Sequence, residues 1–513
     1  MATYYFDSVL GNDSTGNGSM ASPWAQYDNK YSSISAGDIL LFKRGTTQSI
    51  ATQYRSLRSG TSITTPFRMG AYGEGANPKF IYTGVVWGYM LNLANSKWIR
   101  LDDLDFDCQN LNQGALYVAA QGTGLCTSIL INRCRVFNAG FSRSGIAIVK
   151  DGTATTATLS DIEVNRCDFF DNGEHGVLVV AGTNIRIKKC RAWRNGATAT
   201  YGGHGFSMLW HRTIVTLGWT LVSGSVYKRT LTAAEASGNV TYIAAPYPYD
   251  RMTKNTGTPT MPGVGEFGVS AGELYININA NPVGKTINFA WGRCGDNLIE
   301  DCVAFANIAN PVAPYTEGHG IALDDFTEDS IIRRCKSFNN EGLGISINRG
   351  DRNTVEDCLA YGNGINGLAI GASRSNIVRR STFANNNLGN SIEPNGRTSE
   401  IAVTFGEDLN SVSEVVLSAK SGGIQYGIDF GSAGSSSSVS KCNITGYTTP
   451  VRTIIPTGSI TANPLLSGTY RPQIGSPLFG AGVHLGYTRD VEGKQRQNPP
   501  CIGAFDAATV TVV

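Results

Sequence analysis

Five histidines occur in the 513 residues, and three of them sit in equivalent surroundings. The segments read His175-Gly-Val-Leu-Val, His204-Gly-Phe-Ser-Met and His319-Gly-Ile-Ala-Leu. Acids and tyrosines crowd the same positions. Glu174 adjoins His175, Tyr201 lies three residues before His204, and Tyr315 and Glu317 lie just before His319. Glu341 holds the slot of Glu317 one repeat later. Paired carboxylates are the machinery of glycosidic-bond hydrolysis, about 5–5.5 Å apart for retention and about 6.5–9.5 Å for inversion. Each raises the pKa of its neighbour, which supplies a proton donor at neutral pH. Histidine or tyrosine beside a cation suits a second chemistry, removal of the C5 proton of a uronate, which leads to elimination or epimerisation. Three histidines also admit a metal, but a straight row does not impose tetrahedral geometry. They can equally stack as turn residues with no chemistry. The expected catalytic set is Glu317, Glu341, His319, Glu174, His204 and Tyr315, with His175 and Tyr201 touching substrate and no metal ligand.

A second group lies at the other end of the same segments. It contains His211, Arg212, Asp324, Asp325, Arg349, Asp351 and Arg352. Asp324 shares the parity of Ala322, so it is expected to face outward. The outward residues Ala147, Ser207, Ala322, Ser346 and Ala369 are small and would make a flat floor for a polymer. Asp324, Asp325 and His211 are the runner-up catalytic set, and Trp210, Arg212, Asn348 and Arg349 are expected substrate contacts. The alternative for this group is a set of charged turns that keep the chain soluble.

The elements that must position these residues come from a repeat. Residues 128–395 repeat a β-branched run, a Cys, an aromatic three residues on, an Asn, then Gly and a second apolar run. The cysteines are Cys134, Cys167, Cys190, Cys302, Cys335 and Cys358. The aromatics are Phe137, Phe170, Trp193, Phe305, Phe338 and Tyr361, followed by Asn138, Asn172, Asn195, Asn307, Asn340 and Asn363. A last copy carries Phe383 and Asn385 without Cys, and continues into Leu388-Gly-Asn-Ser-Ile. Period-two alternation means strands. The shortest repeats, about 22 residues, cannot bury their own apolar face, so coils must stack. The expected fold is all-β, a solenoid of parallel strands with like residues about 4.8 Å apart along its axis. Cys, aromatic and Asn columns then become ladders, and the cysteines are apolar fillers. The runs preceding the cysteines also carry a basic column, Arg133, Arg166, Lys189, Arg334 and Arg379, interrupted by Asp301 and Asp357. It is either a solvated face or a groove that favours an acidic glycan.

The repeat resembles the right-handed parallel β-helix proteins of the pectate-lyase-like superfamily, among them phage tailspikes and polysaccharide depolymerases. Gly203-His204-Gly205 and Gly318-His319-Gly320 resemble the Gly-His-Gly motif of polygalacturonase-type β-helix hydrolases. That family's Asn-Thr-Asp motif is absent, and Arg186-Ile187-Lys188 precedes the first Gly-His-Gly instead of following it. The resemblance implies a virion-tail or extracellular setting and a homotrimer.

The repeat divides the chain into a cap and first coil at 1–50, coils at 51–212, an inserted β subdomain at 213–290, further coils at 291–470 and a closing segment at 471–513. Only 16% of residues are charged, and 42 basic residues face 40 acidic ones. That balance excludes a general nucleic-acid binder. No run of about 18 apolar residues predicts a membrane span. The start, Met1-Ala-Thr-Tyr-Tyr-Phe, lacks signal-peptide features. The expected function is depolymerisation of a bacterial surface or extracellular polysaccharide, acidic if the basic column lines the groove. No cofactor is expected, with calcium entering only for a lyase. A lyase or uronate C5-epimerase, and a non-catalytic glycan-binding or structural spike, are the alternatives.

Overall fold

The computed structural model describes the chain except residues 53, 85–87, 112, 142, 151–156, 199–201, 210–212, 216–217, 232–239, 245–251, 256, 265, 272, 284, 286, 292–293, 310–316, 389–397, 405–408, 420–424, 432–435, 484–488 and 507–513. It is a right-handed parallel β-helix. Among the described residues, three long sheets contain 15, 12 and 12 strands. A coil contributes one strand to each sheet, and two coils add a second short strand, Cys294–Gly295 and Thr327–Glu328, to the first. A typical coil runs through Thr183–Lys188 in the first sheet, Arg191–Trp193 in the second and Phe206–Leu209 in the third. The inward column of the first sheet is Ile131, Val164, Ile187, Ile299, Ile332, Val355, Val378 and Val412 in direct parallel register. The third sheet supplies Leu116, Ile146, Val177, Phe206, Ile321, Ile345, Leu368 and Ile401. All of these are buried. β-Branched and large apolar residues at every second position thus form one continuous core.

A single left-handed residue turns the chain from the first sheet to the second. Arg133, Arg166, Lys189, Asp301, Arg334, Asp357 and Arg380 all have φ between 48° and 55°. This corrects the basic column. Arg379 belongs to the strand Ile377–Arg379, and Arg380 fills the slot, followed by Ser381 in place of Cys. The acids that interrupt the column are partners of its bases. Arg133 binds Asp103, Arg334 binds Asp301, and Arg380 binds Asp357, each one coil apart.

The ladders are present, with two shifts of position. All eleven cysteines are free and buried, and burial pushes the Cys294 thiol up to about 11. The rings of Phe137, Phe170, Trp193, Phe305, Phe338 and Tyr361 stack at 4.6–5.7 Å. Phe383 does not continue this stack. It aligns with Ala360 and points into the core, while Ala384 takes the outward slot and Tyr470 of the closing segment stacks on Tyr361. The Asn ladder runs Asn172, Asn195, Asn307, Asn340, Asn363 and Asn386, each amide donating to the next at 2.7–3.0 Å. Asn138 and Asn385 instead take the left-handed turn position beside it, at φ 58° and 53°. After Asn386 the third sheet continues with Ser399–Thr404, and the run expected after Leu388 lies outside the described residues.

Between Thr213 and Trp291 the chain leaves the coils and forms two small sheets, antiparallel except where Thr253–Lys254 runs parallel to Glu266–Ser270. They share a core that includes Trp219, Phe267, Leu274, Ile276 and Ile287. The closing segment folds back along the flank. Val491, Ala504 and Phe505 cover Leu359, and Leu478 and Ile502 cover Val416. Among the described residues no helix is long and apolar enough to cross a membrane.

Candidate active site

The turn that enters the third sheet carries one column of special residues. Strand register aligns Tyr89 with Gly114, and through the next coils with Ser144, His175, His204 and His319. The imidazoles stack, with centroids 4.8 Å apart for His175 and His204 and 4.7 Å for His204 and His319. Each Nδ1 accepts a backbone N–H from the following coil. The donors are His204 at 3.0 Å, His319 at 3.1 Å and Leu343 at 3.0 Å. An amide donor requires a lone pair on Nδ1, so the neutral ring carries its proton on Nε2. Burial holds all three rings neutral, and His319 falls to about 3, helped by the proximity of His175. The column therefore presents N–H donors to its surroundings and has no free lone pair for proton abstraction.

Two carboxylates meet at the middle histidine. Glu317 Oε2 and Asp324 Oδ2 each lie 3.8 Å from His204 Nε2. These two oxygens thus lie within twice that distance of each other, a bound that admits the retaining separation and only the lower part of the inverting range. Glu317 and Asp324 were expected in separate clusters at opposite ends of the strands, and the structure joins them. The intervening outward residues are Ser207 and Ala322, small enough for side chains from both ends to lean across and meet.

Asp324 has the environment of a proton donor. Its carboxyl is pushed up to about 8, first by burial, then by Asp325 and Glu317, against a hydrogen bond from Ser346 and the charge of Arg349. Its side chain is 18% exposed. Leu209, in register with Asp324 one coil earlier, packs in an apolar group with Val180, Ala181 and Phe326. Ser346 Oγ donates to Asp324 Oδ1 at 3.2 Å. The chain then turns through two residues at positive φ, Asp325 at 32° and Phe326 at 70°. Bulky Phe326 in that region is strained, and strain collects at working sites. Arg349 holds Asp325 at 3.1 Å.

The other expected residues distribute as follows. Glu174 Oε1 lies 3.9 Å from His175 Nε2, and its Oε2 accepts from Ser144 at 3.1 Å. Glu341 is exposed and accepts the amide of Ala309 at 2.8 Å, so its carboxylate is spent on the neighbouring turn. Asn348 ends the strand Ile345–Asn348 beside Arg349. Tyr201, Trp210, His211, Arg212 and Tyr315 lie outside the described residues. The basic column lies at the corner between the first two sheets, where Arg133, Arg334 and Arg380 bind acids one coil away, and not at the turn that carries the histidines. Among the described residues no cluster of three His, Cys, Asp or Glu side chains is arranged to hold a metal ion.

Two features escaped the sequence reading. Ser207 Oγ is buried on the floor with no hydrogen-bond partner. Tyr89 heads the histidine column, and extending the register backward from His175 through Ser144 and Gly114 would have found it.

Residues 270–444 match the family described as right handed beta helix region. No curated protein matches the chain. Among solved structures, the chain is similar to the A-module of the mannuronan C-5 epimerase AlgE4 of Azotobacter vinelandii. The TM-score is 0.55 at 12% identity, covering 89% of this chain and 100% of that one. The AlgE6 A-module of the same organism gives 0.54 at 11% identity, covering 85% and 93%. At these identities the likeness is one of fold.

Proposed function

We propose that the protein hydrolyses glycosidic bonds of a polysaccharide lying against the third sheet, with Asp324 as general acid and Glu317 as the second carboxylate. The observation that carries this reading is the convergence of both carboxylates on His204 Nε2 at 3.8 Å. Asp324, protonated up to about pH 8, gives its proton to the leaving oxygen as the glycosidic bond breaks. In the inverting course Glu317 takes a proton from the water that bonds to the anomeric carbon. In the retaining course Glu317 forms that bond first, and water then releases the sugar. The Nε2–H of His204 faces both acids and steadies charge that develops on either. The same tautomer argues against elimination or epimerisation based on these histidines. Two structures of this fold are mannuronan C-5 epimerase modules, which gives a precedent for a polysaccharide on this scaffold.

The test is a panel of bacterial capsular and exopolysaccharides, acidic and neutral. New reducing ends without the ultraviolet absorbance of an unsaturated uronate are expected. Asp324→Asn should lower the rate by about 100-fold or more. Activity of the native protein should fall as pH rises through about 8. An unsaturated product, or full activity in Asp324→Asn, would sink the hydrolytic reading. A panel left at its original chain length would also sink the hydrolytic reading, in favour of an epimerase if the uronate composition has changed and of a non-catalytic spike if it has not. Proton NMR of the first-formed anomer decides between the two courses.

A further inference from the structure

Upstream of the acids, the same face carries three tyrosines in mutual contact. Tyr117 lies in the outward column of Ala147, Leu178, Ser207 and Ala322. It is three coils from Ser207, about 14 Å along the axis. Its ring stacks on Tyr89 with centroids 5.3 Å apart and an interplanar angle of 30°. Tyr54 meets Tyr117 edge-on at 5.9 Å and lies 6.4 Å from Tyr89 at a tilt of 49°.

This cluster is built, not incidental. Gly114 must be glycine, because a Cβ there would stand 2.3 Å from the Tyr89 ring and 2.3 Å from the Ser144 carbonyl. The missing side chain lets the Tyr89 ring lean along the axis toward Ser144 and Glu174. Burial and the Glu174 carboxylate both push the Tyr89 phenol up, while Arg143 opposes them. Tyr54 stands at φ 50°, a costly conformation for an aromatic residue. Its backbone N–H is tied to the Tyr89 carbonyl at 3.0 Å, and yet the residue stays 39% exposed. An aromatic held in strain and left open to solvent is poorly explained by packing alone. Tyr89 is only 7% exposed and backs the other two rings, so Tyr54 and Tyr117 offer the open surface. With acid and guanidinium groups at one edge, that surface suits a pyranose, whose C–H face stacks while its hydroxyls find polar partners.

We infer that Tyr54, Tyr89 and Tyr117, edged by Glu174 and Arg143, form a distal subsite for a neutral pyranose unit of the same chain that reaches Asp324. This rests on the hydrolytic reading for the continuity of the groove, and it assigns Glu174 to binding. Between the two sites the outward column runs over Ala147 and Leu178.

The test measures binding separately from cleavage. Cellohexaose, mannohexaose and chitohexaose are titrated into the full chain by calorimetry. The proteins are the wild type, Asp324→Asn, the double change Tyr54→Ala with Tyr117→Ala, and the ring-retaining Tyr54→Phe with Tyr117→Phe. At least one hexaose should bind wild type and Asp324→Asn alike. The alanine pair should weaken it about tenfold, and the phenylalanine pair should restore it. Equal binding by the alanine pair overturns the subsite, even if polysaccharide is still cleaved. Failure of all three hexaoses to bind wild type overturns it as well. Tyrosine-dependent binding with no polysaccharide cleaved would leave the subsite standing and remove the hydrolytic reading instead.

Discussion

One backbone hydrogen bond decides what each histidine of the column can do. Because the next coil donates to Nδ1, the ring is locked as an Nε2–H donor, and burial keeps it neutral. The consequence for stability has a definite sign. Unfolded His319 takes a proton near its ordinary 6.5, whereas folded His319 does so only near about 3. Protonation therefore favours the unfolded chain, and stability falls as pH drops from about 6.5 toward 3. His319→Asn keeps an acceptor for Leu343 and does not titrate, so denaturant titrations should show a smaller acid loss in this variant. Asp324 has the opposite dependence. Its ordinary value is 3.8 and its folded value about 8, so native stability declines as pH rises between them. Asp324→Asn should gain on the wild type across that window, with the difference levelling off above it. A constant difference at all pH values would contradict the assigned environment.

At the scale of the element, the ladders keep successive coils in register. Asn307 accepts from both the backbone and the side-chain amide of Asn195, and donates to Asn340. The ladder is buried, so removing one rung strands donors away from water. Asn307→Ala should cost about 1–3 kcal/mol for each group left unpaired, measured by chemical denaturation. A surface change such as Lys285→Ala in the insert serves as the control and should be near neutral. The corner residues keep register from outside. Asp103, Asp301 and Asp357 each receive an arginine from the following coil, so charge attracts at these three steps, whereas Arg133, Arg166 and Lys189 follow one another with no acid between them.

For the molecule as a whole, the closing segment is fastened by a buried charge. Arg496 donates to Asp357 at 2.8 Å, and the same carboxylate binds Arg380. Arg496 also reaches the carbonyls of Gly503 and Ala504, which draws its own segment into a loop. Arg496→Ala breaks a buried pair, a change that typically costs about 3–5 kcal/mol. The expected result is early proteolytic nicking in residues 471–506 while the coils stay intact. Nicking that begins in the coils would show that the segment does not depend on this contact. Since all eleven cysteines are buried, a thiol reagent should react with the folded chain only as fast as it opens.

The sequence by itself determined the coil, because a parallel stack turns equal positions in a repeat into columns in space. The Cys, aromatic and Asn ladders and the line of His175, His204 and His319 all follow from that rule. Side-chain direction at the ends of the pattern does not. Phe383 turns inward where its predecessors face out, and Tyr470, distant in sequence, completes the stack. Only the tertiary structure brought Asp324 to His204, because a repeat records which residues share a level, not how far they lean over a floor of Ser207 and Ala322. The place of Tyr89 was hidden for a related reason: the column it heads is kept by geometry, with Gly114 and Ser144 between it and His175, and neither resembles a histidine.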